Sequence, residues 1–152
     1  MATVATLTPH SQKDLLLVHR YTYPCPLRWA DADAYGHVNN ALFLRFMEEA
    51  RTRMFRDVLA DDETARRQNA FVVSRASIDF RAPLHYRDEP VDVHVRVIRS
   101  RAVSFELAYE ICDAGQLYAE GTTVIAAVNL DTGRPRRLTE AEQAFITRYS
   151  NP

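Results

Sequence analysis

Two acids, a glycine–histidine pair and two adjacent asparagines fall within the ten residues Asp31 to Asn40, DADAYGHVNN. A carboxylate can activate water as a general base or attack a carbon as a nucleophile. Asn39 and Asn40 are good helix N-caps, because the side-chain oxygen accepts from an otherwise unpaired N–H of the first turn. From Leu42 onward, Phe43, Phe46, Met47, Ala50, Met54 and Val58 recur at helical spacing. Arg45, Glu48, Glu49, Arg53 and Arg56 fill much of the remaining surface, and Glu49 precedes Arg53 by four residues, the favoured order for an ion pair. The pattern is therefore strand, polar loop, helix N-terminus. Such a terminus carries free N–H groups and roughly half a positive charge, so it can hold an anion or polarise a carbonyl oxygen. The competing account makes Asp31 and Asp33 loop residues that bond their own backbone.

The elements that must position these groups follow from the patterning. Strand one is expected over 21–29. Pro24 and Pro26 lie on one side of it, and that side cannot donate to a ladder, so the strand belongs at a sheet edge. The helix is expected over about 40–59. The polar segment 60–69 reads as a loop or a short extra turn. Strand two (71–83) alternates Val72, Ala76, Ile78, Phe80 and Ala82 against Arg75, Ser77, Asp79 and Arg81. Strand three (91–99) places Val91, Val93, Val95 and Val97 on one face, and strand four places Val103, Phe105, Leu107, Tyr109 and Ile111. After the Asp113-Ala114-Gly115 turn, strand five (117–130) becomes apolar on both faces, as a central strand would. Thr139 to Glu142 spells a capping box for a C-terminal helix. One long helix and about five strands with short turns describe an α+β fold, an antiparallel sheet wrapped on one helix. Residues 1–19 read as a tail ahead of a single domain over 20–152.

Composition narrows the function. The chain has 152 residues, 47% apolar and 26% charged, with a net charge of −1. That is an ordinary globular domain with no nucleic-acid footprint. No apolar run approaches the ~20 residues of a membrane span, and the N-terminus lacks the basic and apolar regions of a signal peptide. Cys25 and Cys112 stand far apart without a CxxC, so they read as free thiols in a reducing cytoplasm.

The run Asp31-Ala32-Asp33, Gly36-His37-Val38-Asn39-Asn40, then Glu48-Glu49-Ala50-Arg51 resembles the hot-dog fold acyl-CoA thioesterases of the 4-hydroxybenzoyl-CoA thioesterase-like family. The GHVNN form is also similar to the acyl-ACP thioesterases. The strand pattern extends the resemblance, more weakly, over about residues 21–130. It implies a hot-dog domain that hydrolyses an acyl-CoA to free acid and CoA, with no metal and no cofactor. It also implies a homodimer or homotetramer with the acyl cleft between subunits. Asp33 takes the place of the family's catalytic carboxylate, and the backbone N–H near Asn40 that of its oxyanion donor. Gly36 would make the tight turn into the helix, with Val38 and Asn39 beside the substrate. His37 matches the acyl-ACP enzymes, where it would orient water, protonate the departing thiolate or bond Asp33; otherwise it is a loop histidine bonding backbone. Glu48 matches the helix glutamate of a sister clade, or simply pairs with Arg45, Arg51 or Thr52. Arg101 matches an arginine that contacts the CoA nucleotide in the hydroxybenzoyl-CoA enzymes.

Arg96, Arg99, Arg134, Arg136 and Arg137 otherwise read as solvated surface. Asp33, His37 and Glu48 have the right types for a metal site, but there is no HxxxH and no second histidine nearby in sequence. Two further readings remain beside acyl-CoA hydrolysis: an acyl-ACP or polyketide-type thioesterase, and a non-catalytic acyl-CoA-binding module. A hydratase is disfavoured, because the G-D-x-N-P-x-H type of motif is absent.

Overall fold

A computed structural model of the chain describes residues 20–59 and 62–150. The expected tail at 1–19 lies outside them. Strand β1 (Tyr21–Cys25) leads through a single 3-10 turn, Trp29–Asp31, to the long helix α1 (Asn40–Met54). A 3-10 turn at Phe55–Asp57 and a short helix α2 (Glu63–Gln68) follow. Then come β2 (Ala70–Phe80), β3 (Val91–Ser100), β4 (Ser104–Asp113), β5 (Gln116–Asn129), the two-residue β6 (Arg134–Pro135) and helix α3 (Glu140–Arg148).

The strands form one antiparallel sheet in the order β1-β3-β4-β5-β2, with β6 added to β5. Among the described residues β1 pairs only with β3, so it is an edge, as Pro24 within it requires, while Pro26 falls just past its end. β5 lies between β4 and β2, which explains its apolar character on both faces. Alternation sets the inner face: Val91, Val93, Val95 and Val97 of β3 and Phe105, Leu107, Tyr109 and Ile111 of β4 are buried. They share one core with Phe43, Phe46, Met47, Ala50 and Met54 of α1. Each large side chain buried there contributes roughly 1.5–3 kcal/mol. Gly121 is what lets helix and sheet close up. A Cβ at that position would lie 2.5 Å from the Ser77 carbonyl oxygen and 3.2 Å from the Met47 Cε.

Several boundaries differ from expectation. Strand one stops at Cys25, and the chain bends into the 3-10 turn that ends on the first acid, Asp31. The main helix ends at Met54 rather than near Leu59. The polar segment does form a helix, because Asp62 accepts from the N–H groups of Thr64 and Ala65. Strand two ends at Phe80, three residues before Pro83. The Thr139 capping box is present as expected. Among the described residues no helix is long and apolar enough to cross a membrane.

Candidate active site

The two acids of the Asp-x-Asp pair have different surroundings. Asp31 is 4% exposed. Its Oδ2 accepts from the Arg28 backbone N–H at 2.8 Å and from the Arg45 guanidinium at 2.8 Å. Its carbonyl accepts from the Asn39 N–H at 2.9 Å. The first acid thus ties the 3-10 turn to the helix cap and the first turns of α1. Arg45 continues the network toward Glu49, 3.7 Å away, and Glu49 accepts from the Tyr23 hydroxyl at 3.4 Å. Beside them the buried Cys25 thiol is pushed up to about 12, first by desolvation and then by the Glu49 charge.

Asp33 shapes the loop and also lines a cleft. Its Oδ1 accepts from the N–H groups of Tyr35 at 2.8 Å and His37 at 3.2 Å. Its N–H donates to the His37 carbonyl at 2.7 Å, and the Gly36 N–H donates back to the Asp33 carbonyl at 3.0 Å. Gly36 holds φ +74°, the left-handed region that makes this turn cheap only for glycine. The self-bonding account of Asp33 therefore holds for one oxygen. Oδ2 makes no hydrogen bond among the described residues.

Asn39, not Asn40, is the cap. Its side chain accepts from the Ala41 N–H at 2.9 Å and its carbonyl from the Leu42 N–H at 2.9 Å. The Asn40 N–H, just ahead of these two, has no partner among the described residues. A cleft of about 280 Å³ opens here, lined by Asp33, His37, Val38, Asn39, Asn40 and Phe43 on one side and by Ala82, Pro83 and Leu84 on the other. The second wall is the connection between β2 and β3. The Val38 N–H donates to the Leu84 carbonyl at 2.7 Å and docks that wall against the loop. The connection is itself fixed at its far end, where Asp113 lies 2.6 Å from the Arg87 guanidinium and accepts from the Tyr118 hydroxyl at 2.6 Å.

The structure thus brings Asp33, His37, Val38, Asn39 and Asn40 to one cleft. Gly36 shapes the turn but does not line it. Glu48 is not brought there: its side chain is 65% exposed and lies 3.5 Å from Arg51, the pairing that its position on the helix offers. Arg101 lies at a second hollow of about 330 Å³, with Arg75, Arg99, Ser104, Phe105, Glu106 and Val124. Arg136 is a correction. It is not solvated surface but is held by Glu142 through two bonds of 2.8 Å, and it fastens α3 beside Phe71. The possible metal set of Asp33, His37 and Glu48 does not assemble; no cluster of three or more His, Cys, Asp or Glu suited to a metal occurs among the described residues. Sequence reasoning missed the Ala82-Pro83-Leu84 wall, His85 and Arg75. Pro83 was legible only as the end of a strand.

The curled antiparallel sheet around one long helix, with a carboxylate in the loop entering that helix, defines a hot-dog thioesterase. The chain belongs to the thioesterase-like superfamily, whose family model matches residues 27–146. It is 26% identical over 120 residues to the acyl-CoA thioester hydrolase YbgC of Escherichia coli, a span of 78% of this chain and 89% of that protein. Among solved structures, a thioesterase from Thermus thermophilus complexed with coenzyme A and Zn superposes with a TM-score of 0.71 at 32% identity, over 82% of this chain and 95% of the other. A 1,4-dihydroxy-2-naphthoyl-CoA thioesterase from Synechocystis gives 0.73 at 27% identity, covering 84% and 96%. The chain is a thioester hydrolase.

Proposed function

We propose that this thioester hydrolase cleaves acyl-CoA to the free acid and CoA, with Asp33 and the start of α1 as its working parts. One observation carries the assignment. An acid with one oxygen and a helix N–H that have no hydrogen-bond partner among the described residues lie on the same cleft wall. The carboxylate activates water or attacks the thioester carbon. The Asn40 N–H, aided by the helix dipole, receives the oxyanion that forms on the carbonyl. In this reading His37 gives a proton to the departing thiolate. Asn39 holds the helix start in register, and Gly36 and Val38 fix the loop.

The nucleotide end of CoA carries phosphates, and guanidinium groups suit them. Arg101, with Arg75 and Arg99 at the same hollow, is the proposed anchor. The similar Thermus thermophilus thioesterase is complexed with coenzyme A, in keeping with this carrier.

The assembly we infer is a homodimer, or a dimer of dimers, through β2. That strand runs eleven residues and its outer edge has no partner among the described residues. Val72, Val73 and Phe80 on it are 38%, 41% and 46% exposed. A long, exposed edge is a template for pairing with another strand. Free Cys25 and Cys112 fit a reducing cytoplasm.

A hydrolysis screen tests the function: short, long, branched and aromatic acyl-CoAs, plus an acyl-ACP, with release of thiol followed by a colour reagent. Turnover of at least one acyl-CoA well above the background rate is expected. Turnover of acyl-ACP alone would move the assignment to the carrier protein. No turnover of any thioester would replace it with a binding module.

A further inference from the structure

His37 is firmly held by its backbone and loosely held by its ring. Its N–H and carbonyl both bond Asp33. Among the described residues its imidazole makes no hydrogen bond and no ion pair. Torsion about the bond to an imidazole is broad, so a ring without a hydrogen bond takes its orientation from packing. Its ring contact is His85, centroid to centroid at 4.7 Å with the planes at 76°. This is the edge-to-face arrangement that places the positive rim of one ring on the electron-rich face of another.

The contact is built into the backbone. Residues 37 and 85 face each other as an isolated antiparallel bridge, and the adjacent Val38 N–H to Leu84 carbonyl bond fixes their separation. Two residues further on, Arg87 pins the segment to Asp113 and Tyr118. His85 is therefore presented by a short connection tied at both ends, and its own ring is exposed and leaves no cavity when removed.

We propose that His85 is a positioning residue that sets the orientation of the His37 ring at the cleft. The inference rests on the proposed role of His37 in the reaction. His85 itself does not touch the reacting atoms. It fixes the direction in which His37 presents a ring nitrogen to the thiolate, and small misplacements of such a group are costly in rate.

The test uses the full chain with His85→Ala and His85→Phe, each in the natural background and with His37→Ala. His85→Ala is expected to lower kcat about tenfold with KM within a factor of two, and His85→Phe to recover most of the loss, because an aromatic ring preserves the edge-to-face contact. With His37 already replaced, His85→Ala is expected to cost nothing further, since groups that act as one unit are not additive. A rise in KM alone would make His85 a substrate contact and overturn the proposal. So would an equal loss of kcat in both backgrounds, or no loss at all. Should the natural protein hydrolyse no thioester, the ring C–H resonances of His37, assigned by their loss in His37→Ala, still decide. They are expected to shift in His85→Ala and to stay displaced in His85→Phe. An unchanged spectrum in His85→Ala would refute the contact itself.

Discussion

Asp31 and Asp33 are two positions apart, yet their burial separates their roles. Asp31 is buried against Arg45 and the Arg28 N–H, so removing its charge leaves the guanidinium only the longer contact to Glu49 and the Arg28 N–H no acceptor. Breaking a buried pair of this kind costs about 3 kcal/mol. Asp31→Ala should therefore lower the unfolding free energy in urea by that amount, while Asp33→Asn should leave it nearly unchanged. Comparable losses in both variants would contradict the division of labour. Cys25 makes a second prediction. Its thiol is raised by burial and by the Glu49 charge to about 12, so at pH 8 it is overwhelmingly protonated and a poor nucleophile. A thiol reagent at pH 8 should leave Cys25 unmodified in the folded protein and label it only after denaturation. Rapid labelling of Cys25 in the native state would show that the side chain is accessible.

At the scale of elements, the position of Gly121 under Met47 sets how closely β5 and α1 approach. Gly121→Ala must displace the Ser77 carbonyl of the neighbouring strand and also press on the Met47 side chain, an overpacking cost of ~1–3 kcal/mol that urea unfolding would read. The Asp113 clamp has a pH signature. The hydrogen bond from Tyr118, followed by the Arg87 contacts, holds its carboxyl below the ordinary value. A depressed carboxylate stabilises the fold fully above its unfolded value of about 3.9, and that contribution is lost as pH falls through the folded value. The stability difference between the natural protein and Asp113→Asn should therefore be constant above pH 5 and shrink below pH 4. The main elements and the acid before the helix were legible because period and capping are local signals: Phe43 to Met54 at helical spacing, Val91 to Val97 alternating, and Asn39 ready to cap. What was not legible came from pairings that only the closed sheet creates. Arg45 meets Asp31 across a turn, Leu84 and His85 meet Val38 and His37 from a distant connection, and Arg136 turns inward only because Glu142 waits there.

For the molecule as a whole, the proposed pairing of β2 predicts a particle of at least twice the 17.4 kDa chain in light scattering at micromolar concentration. Val73→Lys would place a charge on that edge and should shift the population toward monomer. A natural protein that is monomeric throughout would contradict the assembly. A dimer unaffected by Val73→Lys would place its interface elsewhere.

The central claim is that Asp33, set beside the start of α1, is the catalytic carboxylate. It is tested most directly by kcat on the best acyl-CoA for Asp33→Asn beside Glu48→Gln. Asp33→Asn keeps the loop's shape and removes the charge, so kcat should fall by at least ~10², with Glu48→Gln much closer to the natural enzyme. Near-normal turnover by Asp33→Asn together with abolition by Glu48→Gln would contradict the account and make the helix glutamate the catalyst.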